Sequence, residues 1–170
     1  MSHYTCLVLT ENGTLEEVER LLAPYDENKT VPEYKSFHDE ASVKRMSEYY
    51  KETDLEKLAA KMSEWAGGEG GIEGDKLYHL TTYNPMSKWD WYAIGGRWDG
   101  VIKNNKERVA DIPDDFECYS IITPDGSWHS RGKMGWWAVS MDEEKEWPAI
   151  KASIVKDYPD AIAVLCDLHI

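Results

Sequence analysis

The sequence predicts an α+β domain: a mainly antiparallel sheet with the N- and C-terminal strands central and helices packed on one face. Three observations carry this. His3–Thr10 and Ala161–Ile170 are short, β-rich and apolar almost throughout, the pattern of strands buried deep in a sheet. Stripes at helical spacing follow the first of these runs and precede the last. Between them lie short segments rich in Tyr, Trp, Ile and Val, cut apart by turn signals.

Taken in order, the first strand closes at Asn12-Gly13, and Thr14 caps a helix whose first turn carries Glu16 and Glu17. Leu15, Val18, Leu21 and Leu22 form its apolar face and Pro24 ends it. Residues 24–39 hold two prolines and many polar residues, and predict an excursion without an element. Helices follow at Asp39–Tyr50 and Asp54–Ala66, the second with Leu55, Leu58, Ala59, Met62 and Trp65 in one stripe, and Gly67–Gly71 stops it as a linker. Strands are then predicted at Lys76–Thr82, Lys88–Ile94, Arg97–Lys103, Arg108–Ile112, Cys118–Thr123 and Met134–Ser140, as an antiparallel meander. A last helix starts between Asp142 and Pro148, with Trp147, Ile150, Ile154, Val155 and Tyr158 inward, because Pro148 suits only a first turn. The organisation expected is one domain over 1–170 with a helical insert at about 24–75.

Composition excludes several classes. No stretch approaches the ~20 apolar residues of a membrane span. The start, Met1-Ser2-His3-Tyr4, has neither a basic region nor a long apolar one, so a cytoplasmic location is expected. Cys6, Cys118 and Cys166 are widely spaced with no C-x-x-C pair, so no disulfide framework is suggested, and Cys6 and Cys166 lie in apolar runs where a free thiol acts as a small hydrophobe. The net charge of −13 repels phosphate backbones, so nucleic acid is a poor direct partner. Lys76, Lys88, Arg97 and Lys103 against only Asp90 and Asp99 nevertheless make residues 76–103 a mildly cationic island.

That island contains the densest signal, Tyr83–Gly100, with three of the eight tryptophans and a Gly95-Gly96 pair. On a strand, Lys88, Asp90 and Tyr92 share one face while Trp89 and Trp91 share the other. Gly95-Gly96 then turns the chain so that Arg97 and Trp98 begin a hairpin partner. Two readings stay open. Lys88 and Arg97 hold an anion with the indoles as a stacking platform, or Asp90 and Arg97 pair across the hairpin while Trp89, Trp91 and Trp98 fill the core.

Two further constellations stand out. In the last strand Asp167 and His169 alternate onto one face, and His3 opens the first strand. If the terminal strands are antiparallel neighbours, His3, Asp167 and His169 form one patch, a candidate zinc or manganese set with an open position; otherwise no cofactor is expected. Trp128–Trp137 predicts a hairpin whose tryptophans complete the core, with Arg131 and Lys133 as a rim around Arg97 in the alternative reading. No P-loop, G-x-S-x-G, H-E-x-x-H or EF-hand loop is present, so no catalytic residue is assigned.

Met1-Ser2-His3-Tyr4, the Tyr83–Gly100 run, Lys133-Met134-Gly135-Trp136-Trp137 and Asp167-Leu168-His169-Ile170 together resemble a group of small uncharacterised bacteriophage and prophage proteins. The resemblance covers both ends and the centre of the chain, but not residues 24–75. It implies a small, soluble, acidic phage protein acting in the cytoplasm of a bacterial host. Two functions fit that context. One is a non-enzymatic binder that inhibits a host defence component, its partner a host protein or protein–nucleic-acid complex. The other is a small-ligand protein that sequesters or hydrolyses a nucleotide-like anion at the Trp/Arg island, with metal assistance as a variant.

Overall fold

A computed structural model describes residues 2–66, 69–113, 115–134, 140–141 and 143–170. In chain order the elements begin with β1 His3–Thr10, α1 Leu15–Leu22, β2 Tyr34–Phe37, α2 Glu40–Tyr50, α3 Leu55–Ala66, β3 Gly70–Glu73 and β4 Lys76–Thr81. They continue with β5 Trp91–Ile94, β6 Lys106–Arg108, β7 Ser120–Ile122, β8 Trp128–Ser130, β9 Lys133–Met134, β10 Ser140–Met141, α4 Trp147–Asp157 and β11 Ile162–His169. The chain divides into two compact units, residues 1–29 with 84–170, and residues 30–83.

The first unit is built on the sheet β5-β11-β1-β7-β8, with β6 also paired to β11. The terminal strands are central and antiparallel, in register from His3 opposite His169 to Thr10 opposite Ile162. β7 runs parallel to β1 and β8 returns antiparallel to β7. The expected meander therefore does not form. β5 and β6 each add to β11, so within this sheet, among the described residues, consecutive strands are neighbours only at β7–β8, while β9 and β10 pair with each other apart from it. Short turns between segments signal a change of direction but do not say which strand the next segment joins.

Both faces of the central strands are covered. Tyr4, Cys6, Val8, Cys166 and Leu168 pack with Val18, Leu21 and Leu22 of α1. Leu7, Leu9, Ala163 and Leu165 pack with Trp147 and Ile154 of α4. Helices thus lie on opposite faces rather than one, as two strands that are apolar on both faces over residues 6–9 and 163–166 require. Fully burying such an aliphatic side chain contributes about 1.5–3 kcal/mol. α1 begins with a reciprocal cap: the Glu17 amide donates to the Thr14 hydroxyl, and the Glu17 carboxylate accepts from the Thr14 amide. That amide, helped by Asn12, holds the Glu17 carboxyl down at about 2.

The second unit is the antiparallel sheet β2-β4-β3 with α3 set on it, Leu58, Ala59 and Met62 buried against Leu77. The insert expected at about 24–75 corresponds to this unit, and Lys76–Thr81 pairs inside it instead of joining the main sheet. Tyr34–Phe37, expected to be irregular, is a strand because β4 offers it an edge. The Trp65 side chain, Gly67, Gly68 and Gly135–Val139, with Trp136 and Trp137, lie outside the described residues. Among the described residues no helix is long and apolar enough to cross a membrane.

Candidate active site

Strand periodicity builds the site. On the α4 side of the sheet, cross-strand pairs run from Leu9–Ala163 and Leu7–Leu165, which α4 covers, to Thr5–Asp167 and finally His3–His169. β5 extends the last two rows, placing Ala93 beside Asp167 and Trp91 beside His169. One face is therefore apolar beneath the helix and turns polar in its final two rows.

Two carboxylate–imidazole pairs stand next to each other there. His3 Nδ1 lies 2.8 Å from Asp167 Oδ1, and His169 Nδ1 lies 2.5 Å from Asp90 Oδ1. An ionised carboxylate only accepts, so in each pair Nδ1–H donates, and in the neutral imidazole Nε2 then carries the lone pair. The two rings meet edge-on with centroids 4.9 Å apart, and Trp91 flanks His3 at 6.1 Å. Both imidazoles are mostly buried yet reach solvent, whereas the Asp167 side chain is only 2% exposed.

Asp167 is held from both oxygens. Oδ2 accepts the Arg97 backbone N–H at 3.0 Å. This contact explains the glycine pair: Gly96 has φ +53°, and a Cβ there would stand 2.4 Å from the Asp167 Cβ. Asp90 is fixed likewise, since its amide donates to the His169 carbonyl at 2.9 Å while its side chain holds the His169 ring.

The structure brings His3, Asp167 and His169 together, as the alternation in the last strand suggests. It also corrects the reading of the Trp/Arg run. Lys88–Tyr92 is not one strand. Regular pairing with β11 starts at Trp91, and Trp89 makes only an isolated bridge to Asp26. The two-residue rule therefore fails across it: Trp89 is 7% exposed, its indole N–H donating to the Leu22 carbonyl, while Trp91 is 50% exposed. Tyr92 packs on Trp89 in the core rather than beside Asp90. Asp90 pairs with His169, not Arg97, and the exposed Arg97 guanidinium has no hydrogen-bond or ion-pair partner among the described residues. Gly96–Trp98 is a 3-10 turn instead of a hairpin strand, so Trp98 packs half-buried on the α4-side core.

Arg131 is not at this site. It follows β8, at the opposite edge of the sheet from β5, and pairs with Glu143 at 3.6 Å. Four strand spacings of about 4.8 Å separate those edges. Lys88 turns instead to a cavity on the other face of the sheet. Sequence reasoning lists Asp90 but does not find its partner, since its tie to His169 depends on how β5 meets β11.

A second pair of imidazoles escapes the sequence reading entirely. In the second unit, His38 Nε2 and His79 Nδ1 stand 2.9 Å apart beside a cavity of about 720 Å³ lined also by Arg45, Tyr49 and Met62. Burial, then the His79 charge, pushes the His38 imidazole down. Sequence distance hides them, because they meet only through the β2–β4 pairing.

As to a metal, both Asp167 oxygens and both histidine Nδ1 atoms are engaged within the site, leaving the two Nε2 atoms as donors. Among the described residues no group of three His, Cys, Asp or Glu side chains is set to hold an ion. Comparison with known proteins adds no relative: no family model, curated protein or solved structure matches the chain.

Proposed function

We propose that the protein hydrolyses a small nucleotide-like phosphodiester by paired acid–base catalysis at His3 and His169. One observation carries the reading: two imidazoles 4.9 Å apart, each with Nδ1 held by its own carboxylate. With both Nε2 atoms available, one imidazole takes a proton from the attacking water while the other, protonated, gives one to the leaving oxygen. The P–O bond to water forms as the P–O bond to the leaving group breaks, giving a phosphomonoester and an alcohol. Each such proton transfer contributes roughly 10²–10⁴-fold. Asp167 and Asp90 set the tautomers and stabilise whichever imidazole is charged. The free Arg97 guanidinium suits the phosphate charge, and the exposed Trp91 indole suits a planar base. The net charge of −13 favours a small ligand over a polymer.

The test is turnover of a panel of cyclic and linear ribonucleotide phosphodiesters across pH. The expected result is a bell-shaped profile, with His3→Ala and His169→Ala each losing about 10²-fold or more while keeping the wild-type circular dichroism. Equal rates in wild type and both variants would overturn the reading. A zinc- or manganese-assisted version predicts loss on chelation and recovery on adding the metal back.

The charge of −13 also supports the binding alternative, an inhibitor of a host defence component. It predicts capture of a host protein that survives the double His3→Ala/His169→Ala substitution, without turnover of any phosphodiester. Both readings suit the cytoplasm of a bacterial host, the setting that the phage-type resemblance implies.

A further inference from the structure

On the sheet face opposite His3 and His169, a cavity of about 320 Å³ is lined by Tyr4, Lys88, Tyr119, Trp128 and Lys133. Tyr4 faces it because it alternates with His3 along β1. Lys88 is placed by its backbone, whose carbonyl accepts the Tyr4 hydroxyl and whose amide donates to the Tyr25 carbonyl at 2.8 Å. Lys133 arrives on β9 from the β8 side. Neither ammonium has a hydrogen-bond or ion-pair partner among the described residues.

Two unpaired ammonium groups in one cavity are unusual in a chain carrying 32 acids against 19 bases. One carboxylate, Glu144, also lines the cavity, and its Oε1 accepts the Glu146 amide at 3.1 Å. Burial, then the charge of Lys133, pushes the Lys88 ammonium down, the direction that an incoming anion reverses. Part of the remaining wall is aromatic, with Tyr119 edge-on to Tyr4 at 5.2 Å and Trp128 backed by Tyr25 at 5.0 Å, while Ser130, Met134 and Ile170 also line the cavity.

We propose that Lys88 and Lys133 form a binding site for a small aromatic phosphomonoester, separate from the acid–base cluster and independent of the reading given for it. A dianion answers two ammonium groups at once, and a ring attached to it would lie against Tyr4 and Trp128. The volume lies at the small end of ligand sites, which fits one phosphorylated ring rather than a chain of them.

Calorimetric titration with phenyl phosphate and with inorganic phosphate tests this. Phenyl phosphate binds in the millimolar range or tighter and inorganic phosphate binds more weakly. Lys88→Gln and Lys133→Gln each weaken phenyl phosphate about tenfold or more, while Lys103→Gln, which removes the same charge from an exposed position elsewhere, leaves it unchanged. The exposed Lys133 carries the test even if the half-buried Lys88 variant unfolds. No binding at millimolar phenyl phosphate, or equal weakening by Lys103→Gln, would overturn the proposal.

Discussion

Asp167 is buried between an imidazole and a backbone amide, and it accepts from both. Asparagine has nearly the same shape but only one acceptor oxygen. Asp167→Asn can keep the Arg97 bond only by turning its NH₂ toward His3, which forces the proton onto Nε2. The expected outcome is a melting point close to wild type with the proposed phosphodiesterase activity reduced roughly 10²–10⁴-fold, read from rates and thermal unfolding on one sample. A variant as active as wild type would show that the His3 tautomer does not matter. The two tryptophans of the central run separate in the same way. Trp89→Ala opens the core and costs on the order of 3–5 kcal/mol in denaturant unfolding. Trp91→Ala, half exposed, should leave stability within about 0.5 kcal/mol and raise KM for a base-bearing substrate. Alternation revealed Asp167 and His169 as face-mates, because both sit inside a long, regular strand. It misplaced Trp89, Tyr92 and Arg97, because a period of two holds only where the backbone is extended and paired. The run before Trp91 is not.

Element boundaries were legible wherever local chemistry sets them. Thr14 with Glu17, Asp39 before α2 and Pro148 in the first turn of α4 all mark helix starts that the structure keeps. Strand partners were not legible, since β11 gathers β1, β5 and β6 from three distant parts of the chain. The α1 cap gives a test with a definite sign. The Glu17 carboxyl is lowered from 4.5 to about 2 by the N–H groups it caps. Its contribution to stability is therefore present above 4.5 and lost as pH falls toward 2. Unfolding of wild type and Glu17→Gln should differ at neutral pH and converge in acid. A difference independent of pH would mean that the cap acts through shape alone.

For the whole molecule, the α+β class and the central placement of the terminal strands followed from their apolar character over most of their length. The insert expected at about 24–75 marks the unit at residues 30–83 only in part, because nothing local shows that β4 closes a sheet with β2 and β3. The thiols report on the integrity of the first unit. Cys6, Cys118 and Cys166 are all free and buried. Burial pushes Cys118 and Cys166 up to about 12 and Cys6 well above its ordinary value. At mildly alkaline pH all three should stay protonated and resist alkylation until the protein unfolds, so mass spectrometry should show zero or three labels with little between. Stepwise labelling under native conditions would reveal local opening.

The pairing of β1 with β11 also dictates an order of events during synthesis. β1 leaves the ribosome long before its antiparallel partner, because residues 3–10 pair with residues 162–169. At 5–20 residues per second the wait is on the order of ten to thirty seconds. For most of it, a largely apolar strand has neither of its eventual neighbours, the first of them arriving when β7 emerges. Residues 30–83, whose strands pair only with one another, can settle in the meantime. The nascent chain is thus most exposed to aggregation at β1, the segment that a holdase chaperone would protect most.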